Sequence, residues 1–221
     1  YHLLYQLHYK ISIFNVFRYI TFRTVLAILS ALIISFFLTP YIIRKFHEWK
    51  IRSDAREDVP ERHNGKKGTP TMGGFVILVS TIIPTLLWSD LRNYYIWIVT
   101  FTLVSFGAIG FMDDMKKLKG KSGKGITGRT KMSLQVFFAM LISLSIYLRP
   151  GFITELSVPF FKNITPELGI FYILLCIFII VGTSNGVNLT DGLDGLAIGP
   201  VLTVCSTFML FSYLVGNIKF A

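Results

Sequence analysis

The sequence has few charged residues and only two cysteines. Asp, Glu, Lys and Arg make up 15% of its 221 residues, whereas hydrophobic residues make up 52%. The apolar residues come in blocks of span length, which excludes a soluble globular domain and indicates a helical membrane protein. Cys176 and Cys205 both fall inside these blocks, so we expect small buried hydrophobes rather than a disulfide. The sequence also lacks Cys and His residues at a metal-binding spacing.

The apolar blocks predict an all-α fold, a polytopic membrane helical bundle of about six spans. The spans are expected near residues 21–43, 73–88, 94–112, 132–148, 168–187 and 196–215. Residues 1–221 are predicted to form a single transmembrane domain. Lys10 and Arg18 lie within the apolar first twenty residues, which lack a small-residue cleavage site. This pattern indicates an interfacial or partly inserted helix rather than a signal peptide.

The basic residues predict the topology. The net charge is +10, and most of the basic side chains fall in two connections, 44–72 and 113–131. The connections 89–93 and 149–167 carry far fewer. The positive-inside rule therefore places the two basic loops in the cytoplasm and the N-terminus outside, and the count of spans returns the loop 188–195 to the cytoplasm. This distribution indicates membrane lipids as partners and argues against nucleic acid.

The polar stretch 188–197, Asn-Leu-Thr-Asp-Gly-Leu-Asp-Gly-Leu-Ala, separates the last two predicted spans. Asp191 and Asp194 are three residues apart, so they share one face in a helix or turn. Glycines such as Gly192 allow the backbone to approach a ligand closely. The alternative is a tight connection whose aspartates cap the following helix.

The stretch 66–74, Lys-Lys-Gly-Thr-Pro-Thr-Met-Gly-Gly, comes immediately before the second predicted span. Glycines and hydroxyl groups at the start of a helix suit an anion, because free backbone N–H groups and the helix dipole point towards it. By itself, this stretch is more typical of an ordinary loop-to-helix junction with two cytoplasmic lysines.

Asp113 and Asp114 are predicted to end the third span. Two carboxylates at a helix C-terminus oppose the helix dipole and repel each other. Lys116 and Lys117 compensate part of this charge, and a divalent cation that holds substrate phosphates would compensate more. The basic loop that follows lacks the Gly-x-x-x-x-Gly-Lys-Ser/Thr pattern, so it is not a P-loop. Lys131 is expected to open the fourth helix, where a cation opposes the dipole.

These three motifs, in their order and spacing along the chain, closely resemble the phospho-N-acetylmuramoyl-pentapeptide transferases (the MraY family). These enzymes belong to the polyprenyl-phosphate N-acetylhexosamine-1-phosphate transferase superfamily. The resemblance covers essentially all 221 residues. The family has ten spans, so this chain resembles the first six. The resemblance implies a longer protein, in which a later aspartate linked to magnesium and a His-rich cytoplasmic loop follow Ala221.

The resemblance implies a reaction and a location. The expected reaction transfers phospho-MurNAc-pentapeptide from UDP-MurNAc-pentapeptide to undecaprenyl phosphate, giving lipid I and UMP for peptidoglycan synthesis. It requires Mg²⁺ and takes place at the cytoplasmic face of the bacterial inner membrane. A homodimer is expected.

The resemblance and the motifs together imply the site residues. Three carboxylates are expected to be catalytic and to hold magnesium: Asp113, Asp114 and Asp191. Lysines and polar residues are expected to bind the substrates: Lys66, Lys67, Thr71, Lys117, Lys131, Asn188, Gly192 and Asp194. Asn188 and Asp194 are expected to shape the uridine pocket.

The mechanism stays open between two routes. In one route, Asp113 deprotonates or orients the lipid phosphate, with Asp114 beside it. In the other, an aspartate attacks the diphosphate and forms a covalent phospho-sugar intermediate. A related transferase that uses UDP-N-acetylglucosamine shares the aspartates. A transporter or a polybasic lipid-binding scaffold is the alternative from another class.

Overall fold

The computed structural model describes residues 5, 7–48, 73–119, 125–158, 160–161, 163–191 and 195–220. Two short 3-10 helices, Leu7–Tyr9 and Ser12–Arg18, precede the α-helices of the described residues. These are α1 (Ile20–Glu48), α2 (Gly73–Trp88), α3 (Tyr94–Lys119), α4 (Gly128–Tyr147), α5 (Phe171–Thr190) and α6 (Ile198–Phe220). Apart from one isolated antiparallel bridge between Glu155 and Glu167, this part of the chain has no β-structure. The predicted all-α class is confirmed.

The helices coincide with the predicted spans. α1, α3, α4 and α5 are long and apolar enough to cross a membrane, whereas α2 and the Ile198–Leu214 part of α6 are apolar but shorter. Large apolar side chains such as Phe36, Phe37 and Phe208 are exposed along these helices. Exposed apolar helices that satisfy their own backbone hydrogen bonds suit a lipid environment. The chain is an integral membrane protein.

α3 continues beyond its predicted end. The apolar pattern stops at Met112, but the helix runs to Lys119. Asp113 and Asp114 therefore lie inside the helix and not at its C-terminus. The helix continues because Lys116, Lys117 and Lys119 are good helix formers, and cations in the last turns of a helix interact favourably with its dipole.

Two other predicted boundaries also shift. α4 begins at Gly128, three residues before Lys131, so the predicted loop 113–131 is helical at both ends. α5 continues through Asn188 to Thr190, and Asp191 is its C-cap residue. Asp191 thus ends the preceding helix and does not cap the following one.

The described residues divide into two compact units after Phe138, within α4. In the first unit, α1 packs on α2 and α2 packs on α3. The indole nitrogen of Trp88, at the end of α2, donates a hydrogen bond of 2.9 Å to Oγ of Ser30 in α1. The Trp88 ring also stacks on Phe17, with a distance of 5.9 Å between ring centroids. These contacts fix the α1–α2 pair at one end.

The second unit contains the rest of α4, an irregular connection, α5 and α6. The connection folds back on itself, because the amides of Leu156 and Leu168 donate to the carbonyls of Pro166 (3.0 Å) and Thr154 (3.1 Å). Gly169, just before α5, has φ +50°, a conformation that favours glycine. This connection contains residues 149–167, which are predicted to form an external loop.

Hydroxyl groups buried in the helices bond to their own backbone. Ser80, Thr100 and Ser105 each donate to the carbonyl four residues earlier, at 2.7 Å. Such bonds satisfy a polar side chain without a partner from another helix, which is required where water is absent. Polar residues are therefore accommodated within the apolar helices.

α2 and α3 approach closely at Gly107. A Cβ atom built there would overlap the end of the Leu78 side chain, whereas a Cβ at Gly110, one turn later, would meet nothing within 4 Å. Gly107 therefore permits the contact between these helices.

We expect Gly107→Val to destabilise the protein by about 1–3 kcal/mol through overpacking. The matched control, Gly110→Val, makes the same change in open space. The measurement is the thermal unfolding midpoint of each variant in detergent. Leu78→Ala should rescue Gly107→Val, and equal midpoints for the two glycine variants would contradict the packing argument.

Candidate functional site

The last two turns of α3 bring two carboxylates and one lysine together. Lys117 follows Asp113 by four residues and Asp114 by three, so helical periodicity places its side chain beside both. Nζ of Lys117 lies 2.6 Å from Oδ2 of Asp113 and 3.2 Å from Oδ1 of Asp114. We call Asp113, Asp114 and Lys117 the acidic cluster. Its two negative charges and one positive charge leave a net charge of −1.

The connection between α3 and α4 supplies another contact to this cluster. The backbone N–H of Ile126 donates a hydrogen bond of 2.9 Å to Oδ1 of Asp113. Both carboxylate oxygens of Asp113 therefore have a donor, one from the loop and one from Lys117. The Asp113 side chain is 15% exposed, whereas that of Asp114 is 38% exposed. Asp114 is thus the more accessible carboxylate.

The N-terminus of α4 carries a side-chain cap. Oγ1 of Thr127 accepts a hydrogen bond from the backbone N–H of Thr130 at 3.3 Å, the usual arrangement for an N-cap threonine. The backbone N–H of Lys131 donates to the Thr127 carbonyl at 2.9 Å. Lys131 therefore lies in the first turn, close to the start of the helix as predicted. Its ammonium group also interacts electrostatically with Asp113.

The site therefore joins the end of α3 to the start of α4. The helix contributes Asp113, Asp114 and Lys117, the loop contributes an amide, and α4 contributes a second cation, Lys131. Lysine side chains are suited to phosphate oxygens. The oxygen ligands of two carboxylates suit Mg²⁺, which proteins commonly bind through one or two carboxylates together with substrate phosphates. The residues present fit a magnesium–phosphate ligand.

Asp191 and Asn188 belong to the second unit of the described residues. Asn188 lies in the last turn of α5, and the backbone N–H of Asp191 donates to the Val187 carbonyl at 3.1 Å. Both side chains are exposed. An exposed carboxylate at the end of a helix opposes the dipole, and a bound cation would reverse that unfavourable interaction.

Several predicted site residues lie outside the described residues: Lys66, Lys67, Thr71, Gly192 and Asp194. Their roles stay predictions. Within the described part of the chain, no group of three or more His, Cys, Asp or Glu side chains is placed to hold a metal ion. A magnesium site built on the acidic cluster would thus need further oxygen ligands from other residues or from a substrate. The binding of Mg²⁺ stays a prediction.

Gly125 and Ile126 were not predicted as site residues. Ile126 acts through its backbone amide, so its side-chain type carries no signal of this contact. Gly125 is one of several glycines in a basic stretch, and the sequence alone does not distinguish it from Gly120, Gly123 or Gly128. Only the path of the loop shows that this glycine lies against a carboxylate.

We expect Lys117 and Asp113 to be coupled energetically. Lys117→Met should reduce the free energy of unfolding by at most about 1 kcal/mol, because Lys117 is 38% exposed and solvent screens the ion pair. A double-mutant cycle with Asp113→Asn should give a coupling of about 0.5 kcal/mol. The measurement is denaturant unfolding in detergent micelles.

The control for this cycle is Lys116→Met, which removes the same charge from an exposed neighbour in the same turn. Its coupling to Asp113→Asn should be close to zero. Equal couplings for Lys116 and Lys117 would show that only the overall charge matters and not the contact.

The sequence matches one family model and one family signature. The family model of glycosyl transferase family 4 matches residues 96–221. The first signature of the phospho-N-acetylmuramoyl-pentapeptide-transferases matches residues 66–78, which include Lys66, Lys67 and Thr71.

Curated relatives match over almost the whole chain. A phospho-N-acetylmuramoyl-pentapeptide-transferase of Syntrophus aciditrophicus is 51% identical over 221 residues, which are 100% of this chain and 62% of the relative. Proteins of the same name from Citrifermentans bemidjiense and Pelobacter propionicus are 49% and 51% identical, over 99% and 98% of this chain and 61% of each relative. The chain thus spans about 62% of the length of the relatives that it matches.

The comparisons confirm the resemblance inferred from the motifs. The family match includes α3, with its acidic cluster, as well as α4, α5 and Asp191. The signature match adds the stretch before α2. The chain belongs to glycosyl transferase family 4.

Proposed function

We propose that this chain is part of an enzyme that transfers phospho-MurNAc-pentapeptide from UDP-MurNAc-pentapeptide to undecaprenyl phosphate. The products would be lipid I and UMP, in peptidoglycan synthesis. The observation that carries the proposal is the acidic cluster, where a lysine bridges two carboxylates in the last two turns of α3. The names of the relatives and the signature at residues 66–78 support the choice of substrates.

The reaction exchanges one phosphoanhydride bond for another. An oxygen of the lipid phosphate attacks the phosphorus that carries the sugar, and the bond from that phosphorus to the oxygen of UMP breaks. UMP leaves with this oxygen, and the lipid phosphate becomes a diphosphate that carries the sugar. Both substrates are anions, so the site must reduce the repulsion between them and orient them.

The lysines of the site are suited to this task. Lys117 lies at the junction of α3 with the loop and is partly exposed, so it can contact a phosphate while it stays beside Asp113 and Asp114. Lys131 adds a second cation from the start of α4. In the proposal, these two ammonium groups stabilise the negative charge that develops on the transferred and leaving phosphates.

The two adjacent carboxylates have different roles in this proposal. Oδ1 and Oδ2 of Asp113 both accept from protein donors, which makes Asp113 the carboxylate that holds Lys117 and the loop in place. Asp114 is more exposed and is the better placed to meet a ligand. This division favours Asp114, rather than Asp113, as the carboxylate that deprotonates or orients the lipid phosphate.

Mg²⁺ is the cofactor in this proposal. Asp113 and Asp114 would supply carboxylate ligands from the acidic cluster, together with phosphate oxygens of the substrate. Asp191, in the second unit, stays a predicted magnesium ligand. When bound, the ion would neutralise charge on the diphosphate and hold it in an orientation for attack. Asn188 and Asp194 would shape the uridine pocket, and Lys66 or Lys67 would close over the nucleotide sugar.

The proposed location is the cytoplasmic face of a bacterial inner membrane. α3 ends in three lysines, and the loop that follows is also basic, so the positive-inside rule places this end of the helix in the cytoplasm. The nucleotide sugar would reach the site from the cytoplasm, and the polyprenyl phosphate would reach it from the bilayer.

We expect the purified full-length protein to release UMP from UDP-MurNAc-pentapeptide when a polyprenyl phosphate and Mg²⁺ are present. EDTA should stop the release, and added Mg²⁺ should restore it. UDP-N-acetylglucosamine as the sole nucleotide should give no UMP. Release from UDP-N-acetylglucosamine alone would instead identify the related transferase, and a folded protein that releases UMP from neither nucleotide would contradict the proposal.

Single substitutions of the carboxylates should abolish this turnover. Asp113→Asn, Asp114→Asn and Asp191→Asn keep the size of each side chain but remove its charge, and each should reduce UMP release by at least about 100-fold. The matched control is Asp90→Asn, since Asp90 lies in the turn between α2 and α3, at the other end of α3. A variant with the activity of the unmodified protein would remove that aspartate from the mechanism.

A further inference from the structure

We propose that Gly125 and the backbone amide of Ile126 are positioning elements that fix the orientation of the Asp113 carboxylate and, through it, of Lys117. The proposal rests on the proposed function for its kinetic consequence, but the contact itself is independent of any reaction. It assigns a role to two residues that contribute no functional side chain.

The first observation is the lack of space at Gly125. A Cβ atom built there would overlap Oδ1 of Asp113 and would also lie 2.8 Å from its Cγ and 3.1 Å from Cε of Lys117. These atoms belong to the acidic cluster itself. Any side chain at position 125 must therefore displace either the carboxylate or the loop.

The second observation concerns the backbone. Positive φ angles occur at Gly151, Gly169 and Gly195 among the described glycines, and Gly125 is not one of them. A left-handed backbone conformation is therefore not the reason for glycine at this position. The adjacent carboxylate is the feature of the structure that favours glycine there.

The third observation is how the hydrogen bonds divide over the carboxylate. The Ile126 amide occupies Oδ1 at 2.9 Å, which leaves Oδ2 to the Lys117 ammonium at 2.6 Å. A carboxylate can rotate about its last torsion with little cost. Donors on both oxygens remove this freedom, so the ammonium group of Lys117 has a defined position between Asp113 and Asp114.

This arrangement matters for a reaction that depends on orientation. Small displacements of a group that contacts the reacting phosphates lower the rate strongly, by about 100-fold for 1 Å. A displaced Asp113 releases Lys117, and Lys117 is the cation that both carboxylates share. The loop therefore acts on the reaction through Asp113 and Lys117, without contact with substrate.

Gly125→Ala tests the proposal, with Gly128→Ala as the matched control. A Cβ at Gly128 would meet nothing within 4 Å, so the control makes the same substitution three residues away in open space. In the full-length protein, we expect Gly125→Ala to lower kcat for UMP release by about tenfold or more, with KM for the nucleotide changed by less than about twofold. Gly128→Ala should retain both values.

Two readouts without substrate keep this test independent of the proposed function. Hydrogen exchange at the Ile126 amide should be slow in the unmodified protein and faster in Gly125→Ala and in Asp113→Ala. The second readout is a double-mutant cycle of thermal unfolding midpoints. Gly125→Ala should lower the midpoint of the unmodified protein, but it should have little effect in the Asp113→Ala background, where no carboxylate is displaced.

The outcomes separate the two proposals. Fast exchange at Ile126 in the unmodified protein, or equal thermal effects of Gly125→Ala with and without Asp113, would overturn the positioning contact. A changed exchange rate together with an unchanged kcat would overturn its role in the reaction. If the unmodified protein released no UMP, the proposed function would fail, and the exchange and thermal results would still decide on the contact.

Discussion

Two neighbouring carboxylates directly after the apolar part of α3 carry a charge that the surrounding chain must balance. The described part of the site follows from this requirement. Lys117 balances one charge because it lies one turn after the pair, within reach of both carboxylates. This contact needs helical geometry through residue 117, and α3 does continue past its apolar part to Lys119. The Ile126 amide then occupies the remaining oxygen of Asp113 and brings the start of α4 to the same place.

A similar requirement applies to the neutral polar groups along the helices, which must find hydrogen-bond partners. Ser80, Thr100 and Ser105 satisfy their hydroxyl groups on the backbone of their own helix. Contacts between helices can then rely on shape, as at Gly107 and Leu78, or on one hydrogen bond near a helix end, as between Trp88 and Ser30. Ion pairs of the described residues lie near helix ends: Lys45 with Glu48 at the end of α1, and Lys117 with Asp113 and Asp114 in the last two turns of α3.

The lengths of the apolar runs predicted the positions of α1 to α6, because a span needs a nearly continuous apolar run and such runs are readily recognised in a sequence. The helix ends were less predictable. At α3, the apolar pattern stops at Met112, but the Asp–Lys spacing stabilises two more turns. At α5, polar residues through Thr190 remain helical, and Thr190 bonds back to the Gly186 carbonyl. The pairing of Asp113 with Lys117 could be anticipated from the helical spacing, whereas the contact with Gly125 and Ile126 depends on the path of a loop that no local pattern specifies.

The donor to Oδ1 of Asp113 is a neutral backbone amide, so it leaves the net charge of the site unchanged. If a second lysine occupied Oδ1, the acidic cluster would be neutral, and its attraction for a metal ion would be lost. A backbone amide satisfies the hydrogen bond without adding a net charge, so the cluster keeps its charge of −1. Lys131 forms no ion pair with the acidic cluster among the described contacts. Its ammonium group interacts with Asp113 electrostatically and so offsets part of the negative charge. The cluster can thus attract a cation through the exposed Asp114, while Lys117 and Lys131 can interact with phosphate oxygens. The proposed function, with a magnesium ion and a diphosphate, needs this combination.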